Sequence, residues 1–204
     1  MRDNSRKKEY FDLCIILHSQ KAKELKTKIN ILVAKYSRGD SLVELKKEFE
    51  KLIGYSIENL PYGDSYYYID MLRFASLSFL FNLDLQVKNN IRNKLKENMY
   101  YDSLIDHFFT NTNTVPNKEA LIEPGIVMDL IYAAEKKSCD PLLEYLQKWY
   151  HNFQYDPWYN GHGMFDYWGK WSFATAAVVK RYELNDECLK NDPFYPYDLA
   201  HFIE

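Results

Sequence analysis

Glycine and proline are scarce in this chain: seven of each in 204 residues, against a usual combined share of roughly 12%. So few breakers exclude a sandwich, barrel or propeller, all of which need turn residues every few positions. No run of 18 apolar residues occurs, which excludes a membrane-spanning helix. Residues Met1 to Lys8 are charged and the apolar stretch behind them is interrupted at His18. That excludes a secretory signal peptide, and the expected location is cytoplasmic. Only three cysteines are present, Cys14, Cys139 and Cys188, none in a CxxC pair. A scattered odd set excludes a disulfide framework and a cysteine-rich zinc site and fits a reducing compartment. Each cysteine is expected to fill space as a small hydrophobe. Catalytic signatures are lacking too: there is no GxSxG elbow and no GxGxxG or GxxxxGK[ST] phosphate cradle.

What the chain does have is apolar and aromatic bulk. Hydrophobic residues make up 47%, enough for a core and too much for disorder. Tyr, Phe and Trp number 18, 12 and 4, and they gather toward the C-terminal half. The net charge of −3 hides an asymmetry. Residues 1–60 hold 13 Lys/Arg and 9 Asp/Glu, a net +4, and residues 61–204 hold 13 and 20, a net −7. A nucleic-acid binder concentrates basic charge on one face, so DNA or RNA binding is disfavoured and a basic protein partner favoured.

The fold class expected is all-α. Phe11, Ile15, His18, Ala22, Leu25, Ile29, Leu32 and Tyr36 alternate spacings of four and three, a seam that predicts one helix from Ser5 to Tyr36, about 48 Å long. Gly39 is placed to end it. Ser41 and Glu44 then form a capping box for a second helix with Leu42, Leu45, Phe49 and Leu52 on one face. Residues 1–60 therefore read as a long antiparallel helical hairpin. Residues 61–204 read as a C-terminal helical bundle with aromatic-rich irregular loops, and the two regions are expected to form one compact unit. Ser65 to Leu83 is apolar on most sides, which predicts a buried central helix. Asp84, Pro124 and Asp140-Pro141 mark further helix starts, and a helix is expected from Trp171 to Leu184.

Candidate chemistry is sparse. Asp102, Asp106 and His107 suggest a metal-hydrolase site, against the commoner reading of paired acids one turn apart as solvated charge. His151 and His162 lack helix-borne ligand spacing. No catalytic residue, metal or cofactor is assigned. The remaining concentration is aromatic: all four tryptophans and six Tyr or Phe fall between Trp149 and Trp171. Tyr and Trp carry much of the energy at interfaces, and Asp156, Asp166, Asp186, Glu187, Asp192 and Asp198 lie among or just after them. A carboxylate-rimmed Tyr/Trp surface suits a basic protein ligand. The candidate binding residues are Asp156, Trp158, Tyr159, Asp166, Tyr167, Asp186, Glu187 and Asp192.

The stretch Tyr167-Trp-Gly-Lys-Trp171-Ser-Phe-Ala-Thr-Ala-Ala-Val-Val-Lys180, then Asp186, then Asn191-Asp-Pro-Phe-Tyr-Pro-Tyr-Asp-Leu199 resembles the C-terminal signature of the PoNi-type bacterial immunity proteins. Upstream, Trp149-Tyr150, Trp158-Tyr159, Tyr10-Phe11, Ala34-Lys-Tyr-Ser-Arg-Gly-Asp40, Met71-Leu72 and Ser76-Leu77 fit the same family in the same order. Two positions depart from its usual pattern: Lys170 stands where an aromatic is usual, and Ala174 where a Glu is common. The resemblance implies an all-helical protein without catalytic activity that binds and neutralises a cognate secreted DNase toxin in the producing cell. It also implies that Tyr167, Gly169, Trp171, Tyr195, Pro196, Asp198 and Leu199 hold the fold. A basic nuclease is the partner expected, without nucleic acid or membrane, and the sequence leaves a homodimer open. Two other readings are a helical adaptor or chaperone for a secreted effector, and a small metal-dependent hydrolase using Asp102, Asp106 and a histidine.

Overall fold

A computed structural model describes residues 1–20, 22, 24–58, 60, 62, 67–151 and 165–203. Among these residues every regular element is helical: α1 (Lys8–Ser19), α2 (Leu25–Arg38), α3 (Leu42–Ile57), α4 (Tyr68–Leu80), α5 (Leu85–Glu97), α6 (Ser103–Phe108), α7 (Pro124–Lys136), α8 (Asp140–Trp149), α9 (Phe173–Tyr182) and α10 (Tyr197–Ala200). The expected all-α class is what the chain adopts. It divides into two compact units, one of residues 1–59 with 150–171, the other of residues 60–149 with 172–203.

In the first unit the single long helix expected from Ser5 to Tyr36 is instead two. The chain leaves α1 at Ser19 and re-enters a helix at Leu25, and α1 and α2 pack against each other. The seam is nonetheless real, because Phe11, Ile15, Leu25, Ile29, Leu32 and Tyr36 are all buried. Folding the seam back lets its two halves bury one another, where a straight helix would need a separate partner for each. No glycine or proline marks the reversal, so local sequence gives no sign of it. At the other end α2 stops where expected: Gly39 takes φ 101° and its N–H donates to Lys35 O and Tyr36 O. The next helix, α3, packs on α2, with Leu45, Phe49 and Ile53 buried.

The second unit is built around α4, which packs on α6 and α9. Ten of its 13 residues are buried, as its all-round apolarity predicts. Its buried serines are satisfied locally, Ser76 Oγ donating to Leu72 O (2.6 Å) and Ser78 Oγ to Phe74 O (2.7 Å). The start of α5 is capped by Asp84, whose carboxylate accepts from Gln86 N at 2.7 Å, and Pro124 occupies the first turn of α7. The start of α8 lies one residue earlier than Asp140-Pro141 suggests. Cys139 O already accepts from Leu142 N and Leu143 N, and Asp140 falls inside the first turn. The pair Ala176 and Ala177 is fully buried in α9, and small side chains there permit close approach of α4 and α7.

Two cations on α9 gather the ends of other helices. Arg181 donates to His107 O (2.6 Å), Thr110 O (2.8 Å) and Thr112 O (3.0 Å), which lie at and beyond the end of α6. Lys180 Nζ donates to Leu80 O at the end of α4 and to Phe202 O beyond α10. Helix C-termini carry unpaired carbonyls and partial negative charge, which stabilises buried Arg181 and half-buried Lys180 there.

Candidate functional site

In the first unit, residues 165–171 lie along α1 and α2, and hydrogen bonds tie down Phe165, Tyr167, Trp168 and Trp171. Cys14 Sγ donates to Phe165 O at 3.1 Å, and Tyr167 N donates to Tyr10 Oη at 3.0 Å. Tyr167 Oη donates to Asp3 Oδ2 (2.6 Å) and accepts from Ser5 Oγ (3.1 Å). Ser37 Oγ donates to Trp168 O (2.7 Å) and accepts from Trp171 Nε1 (2.9 Å), and the Trp171 ring stands edge-on to Tyr36 at 5.2 Å. Gly169 has φ 124°, and a Cβ there would strike Ser37 Oγ and lie 2.8 Å from Trp171 Nε1. The motif blocks 34–40 and 167–171 are thus two halves of one contact. Burial pushes the Tyr10 hydroxyl up to about 12 and the Cys14 thiol up to about 11, so both stay protonated at physiological pH. Lys170, where the family's usual aromatic is missing, places its ammonium 5.6 Å from the centre of the Tyr150 ring. That is a cation–π contact.

The second signature closes on itself in the other unit. Asp186 is buried and accepts from Tyr195 Oη at 2.6 Å, with His201 Nε2 3.0 Å away. Asp192 Oδ1 accepts from Phe194 N (2.8 Å), a local turn that presents Phe194 O to Ser172 N, also at 2.8 Å. Pro196 and Leu199 are buried and Asp198 is exposed.

The candidate binding residues therefore separate. Tyr167 and Asp186 are buried, with their polar atoms committed to the contacts above. Glu187 has a side chain 72% exposed, and its carboxylate lies 3.4 Å from Lys190 Nζ. Asp166 is half-exposed, 3.7 Å from His18 Nε2, and Asp192 is partly exposed within its turn. Asp156, Trp158 and Tyr159 lie outside the described residues, as does His162. Sequence reasoning missed Ser37 and Asp3, which orient Trp171 and Tyr167. The signal for Ser37 was present in the 34–40 block, but its partner lies 134 residues away.

Asp102, Asp106 and His107 do not form a metal-hydrolase site, and Asp102 is not solvated charge either. Asp102 is buried and caps α6 through Ile105 N (2.9 Å), while its other oxygen accepts from Ile122 N (2.8 Å). Burial raises the pKa of its carboxyl, against the pull of those N–H donors. Asp106 is held by Arg92 through two guanidinium nitrogens. His107 is buried, 2.9 Å from Tyr182 Oη, with its pKa pushed down to about 4 by burial and then by Arg181. Among the described residues no group of three His, Cys, Asp or Glu side chains is arranged to hold a metal.

The depressed His107 pKa has a stability consequence. The folded form holds the ring neutral while the unfolded chain, with a pKa near 6.5, takes up a proton. Stability from this group is therefore complete above about pH 6.5 and falls as pH drops toward about 4, by up to about 3 kcal/mol. Urea denaturation of the wild type and His107→Gln should converge as pH falls through that window. Parallel pH profiles for the two proteins would refute the assignment.

The fold defines an all-helical protein in which the described signature residues pack and hydrogen-bond with one another. The chain belongs to the PoNe immunity protein (PoNi) family: the N-terminal model of that family matches residues 3–95 and the C-terminal model residues 96–199. No curated protein and no solved structure matches the chain.

Proposed function

We propose that this protein binds a cognate PoNe-type DNase toxin in the cytoplasm of the cell that makes it, and neutralises it by binding rather than by catalysis. The observation that carries this is the ordered match of both immunity-family models over residues 3–199. The chemistry agrees with it. Asp102, Asp106 and His107 are engaged in capping, an ion pair and a buried hydrogen bond. No helix among the described residues is long and apolar enough to cross a membrane.

The docking surface proposed is the acidic segment after α9, where Glu183, Glu187 and Asp198 are each exposed. A DNase presents basic groups to phosphate, and a carboxylate face opposite them raises the association rate by steering. Co-expression with the gene of a cognate PoNe-type toxin, in a host that the toxin kills, should restore growth, with a complex on a sizing column. No rescue and no complex would sink the immunity reading. The on-rate should fall about tenfold as salt shortens the Debye length from about 30 to about 3 Å. Glu187→Lys with Asp198→Lys should lower the low-salt rate further. A salt-independent rate would remove this surface and leave immunity standing.

One observation favours a second reading. Leu13, Ile16 and Leu17 form an exposed apolar strip on α1, each 44% or more accessible, as an adaptor for a secreted effector would offer. Loss of effector export on deleting the gene, with no loss of protection, would select that reading.

A further inference from the structure

Cys139 and Cys188 are 49 positions apart, and their spacing gives no sign of a pair, yet the fold brings them to one place. Helices α7 and α9 pack together, and each ends on a left-handed residue, Lys137 at φ 49° and Glu183 at φ 51°. The two reversals turn the following loops toward each other around a cleft of about 430 Å³, lined by Lys137, Cys139, Asp140, Asn185, Glu187 and Cys188. Cys139 is buried at the base, its thiol donating to Asn185 O. Cys188 is exposed, in the 3-10 turn Glu187–Leu189, and lines the same cleft as Cys139. The two are therefore not independent space-fillers, as their scatter in the sequence suggested.

We propose that Cys139 and Cys188 form a peroxide-reactive thiol pair in which exposed Cys188 is oxidised first and Cys139 closes the intramolecular disulfide. The Cys188 thiolate attacks the O–O bond of hydrogen peroxide. An S–O bond forms, the O–O bond breaks, and the departing hydroxide takes up the thiol's proton as water. Cys139 then displaces the hydroxyl of the sulfenic acid. The S–S bond forms, the S–O bond breaks, and the hydroxyl leaves as a second water with the Cys139 proton. Two thiols lose two electrons and one peroxide gains them. The order follows from access and from ionisation. Burial, then the neighbouring Cys188 and the carboxylates of Asp186 and Asp140, push the Cys139 thiol up to about 12. It does not meet peroxide as a thiolate. Cys14 is an internal control, since it is buried and raised by burial but has no thiol partner.

The test treats the folded full chain with hydrogen peroxide, blocks free thiols, and maps peptides by mass before and after reduction. The expected product is a monomer lighter by two hydrogens, with the Cys139 and Cys188 peptides joined and Cys14 still alkylated. Its melting midpoint should rise and return to the starting value with dithiothreitol. Cys188→Ser, a change on the surface, should leave Cys139 reduced under the same treatment. Cys139→Ser should leave a sulfenic acid at Cys188 that dimedone traps. A wild-type chain that ends as an intermolecular dimer, or as sulfinic acid at Cys188 with Cys139 free, would overturn the proposal.

Discussion

Gly169→Ala is expected to destabilise the protein by about 3–5 kcal/mol, measured as a shift in the urea midpoint at unchanged slope. Two costs add. A φ of 124° is a conformation that L side chains rarely adopt, which is worth about 1–2 kcal/mol. The new Cβ also enters the space between Ser37 Oγ and Trp171 Nε1. Neither neighbour yields cheaply, because Ser37 Oγ is hydrogen-bonded to both Trp168 O and Trp171 Nε1. Ser37→Ala alone should lose about 2–3 kcal/mol, since it leaves a buried carbonyl and a buried indole N–H unpaired. The double variant separates the two costs. With Oγ gone, part of the Gly169→Ala penalty disappears, and the pair should couple by at least about 1 kcal/mol. Strict additivity would show that the glycine is required for its backbone angle alone.

Arg181→Met is expected to lose about 3–4 kcal/mol and to raise hydrogen exchange in the loop after α6. The guanidinium is buried, sits 4.3 Å from the centre of the Phe79 ring, and supplies donors to three backbone carbonyls in residues 107–112. Methionine fills much of the volume but leaves those carbonyls without their charged donors. Arg181→Lys retains the charge and loses the planar fork, so about 2 kcal/mol of the loss should remain. If Arg181→Met costs less than about 1 kcal/mol, the loop is held by its own contacts, including the bond from Tyr182 Oη to Thr114 O. The salt dependence of toxin binding should not change in either variant, because Arg181 is not part of the acidic segment.

Several elements were legible because their signals are local. Gly39 ends α2 through a left-handed angle, Asp84 caps α5 through its own side chain, and Pro124 opens α7, each within one helical turn of the residue that signals it. The apolar run of α4 announced a buried helix for the same reason. Other features depend on partners distant in the chain. The reversal between α1 and α2 carries no breaker. Asp102 reads as a surface acid until Ile122 N, 20 residues on, is seen to donate to it. Of the candidate binding residues, Glu187 is exposed while Tyr167 and Asp186 are enclosed, a distinction that residue type cannot carry.

The sequence by itself determined the helical class, the family and several helix ends, because hydrophobic period, capping chemistry and motif order are properties of short stretches. Tertiary structure alone decided that the first seam folds on itself, that Ser37 joins the 34–40 block to Gly169 and Trp171, and that Cys139 and Cys188 line one cleft. Burial and long-range hydrogen bonding depend on which distant residues share a volume, and that is settled only when the helices pack.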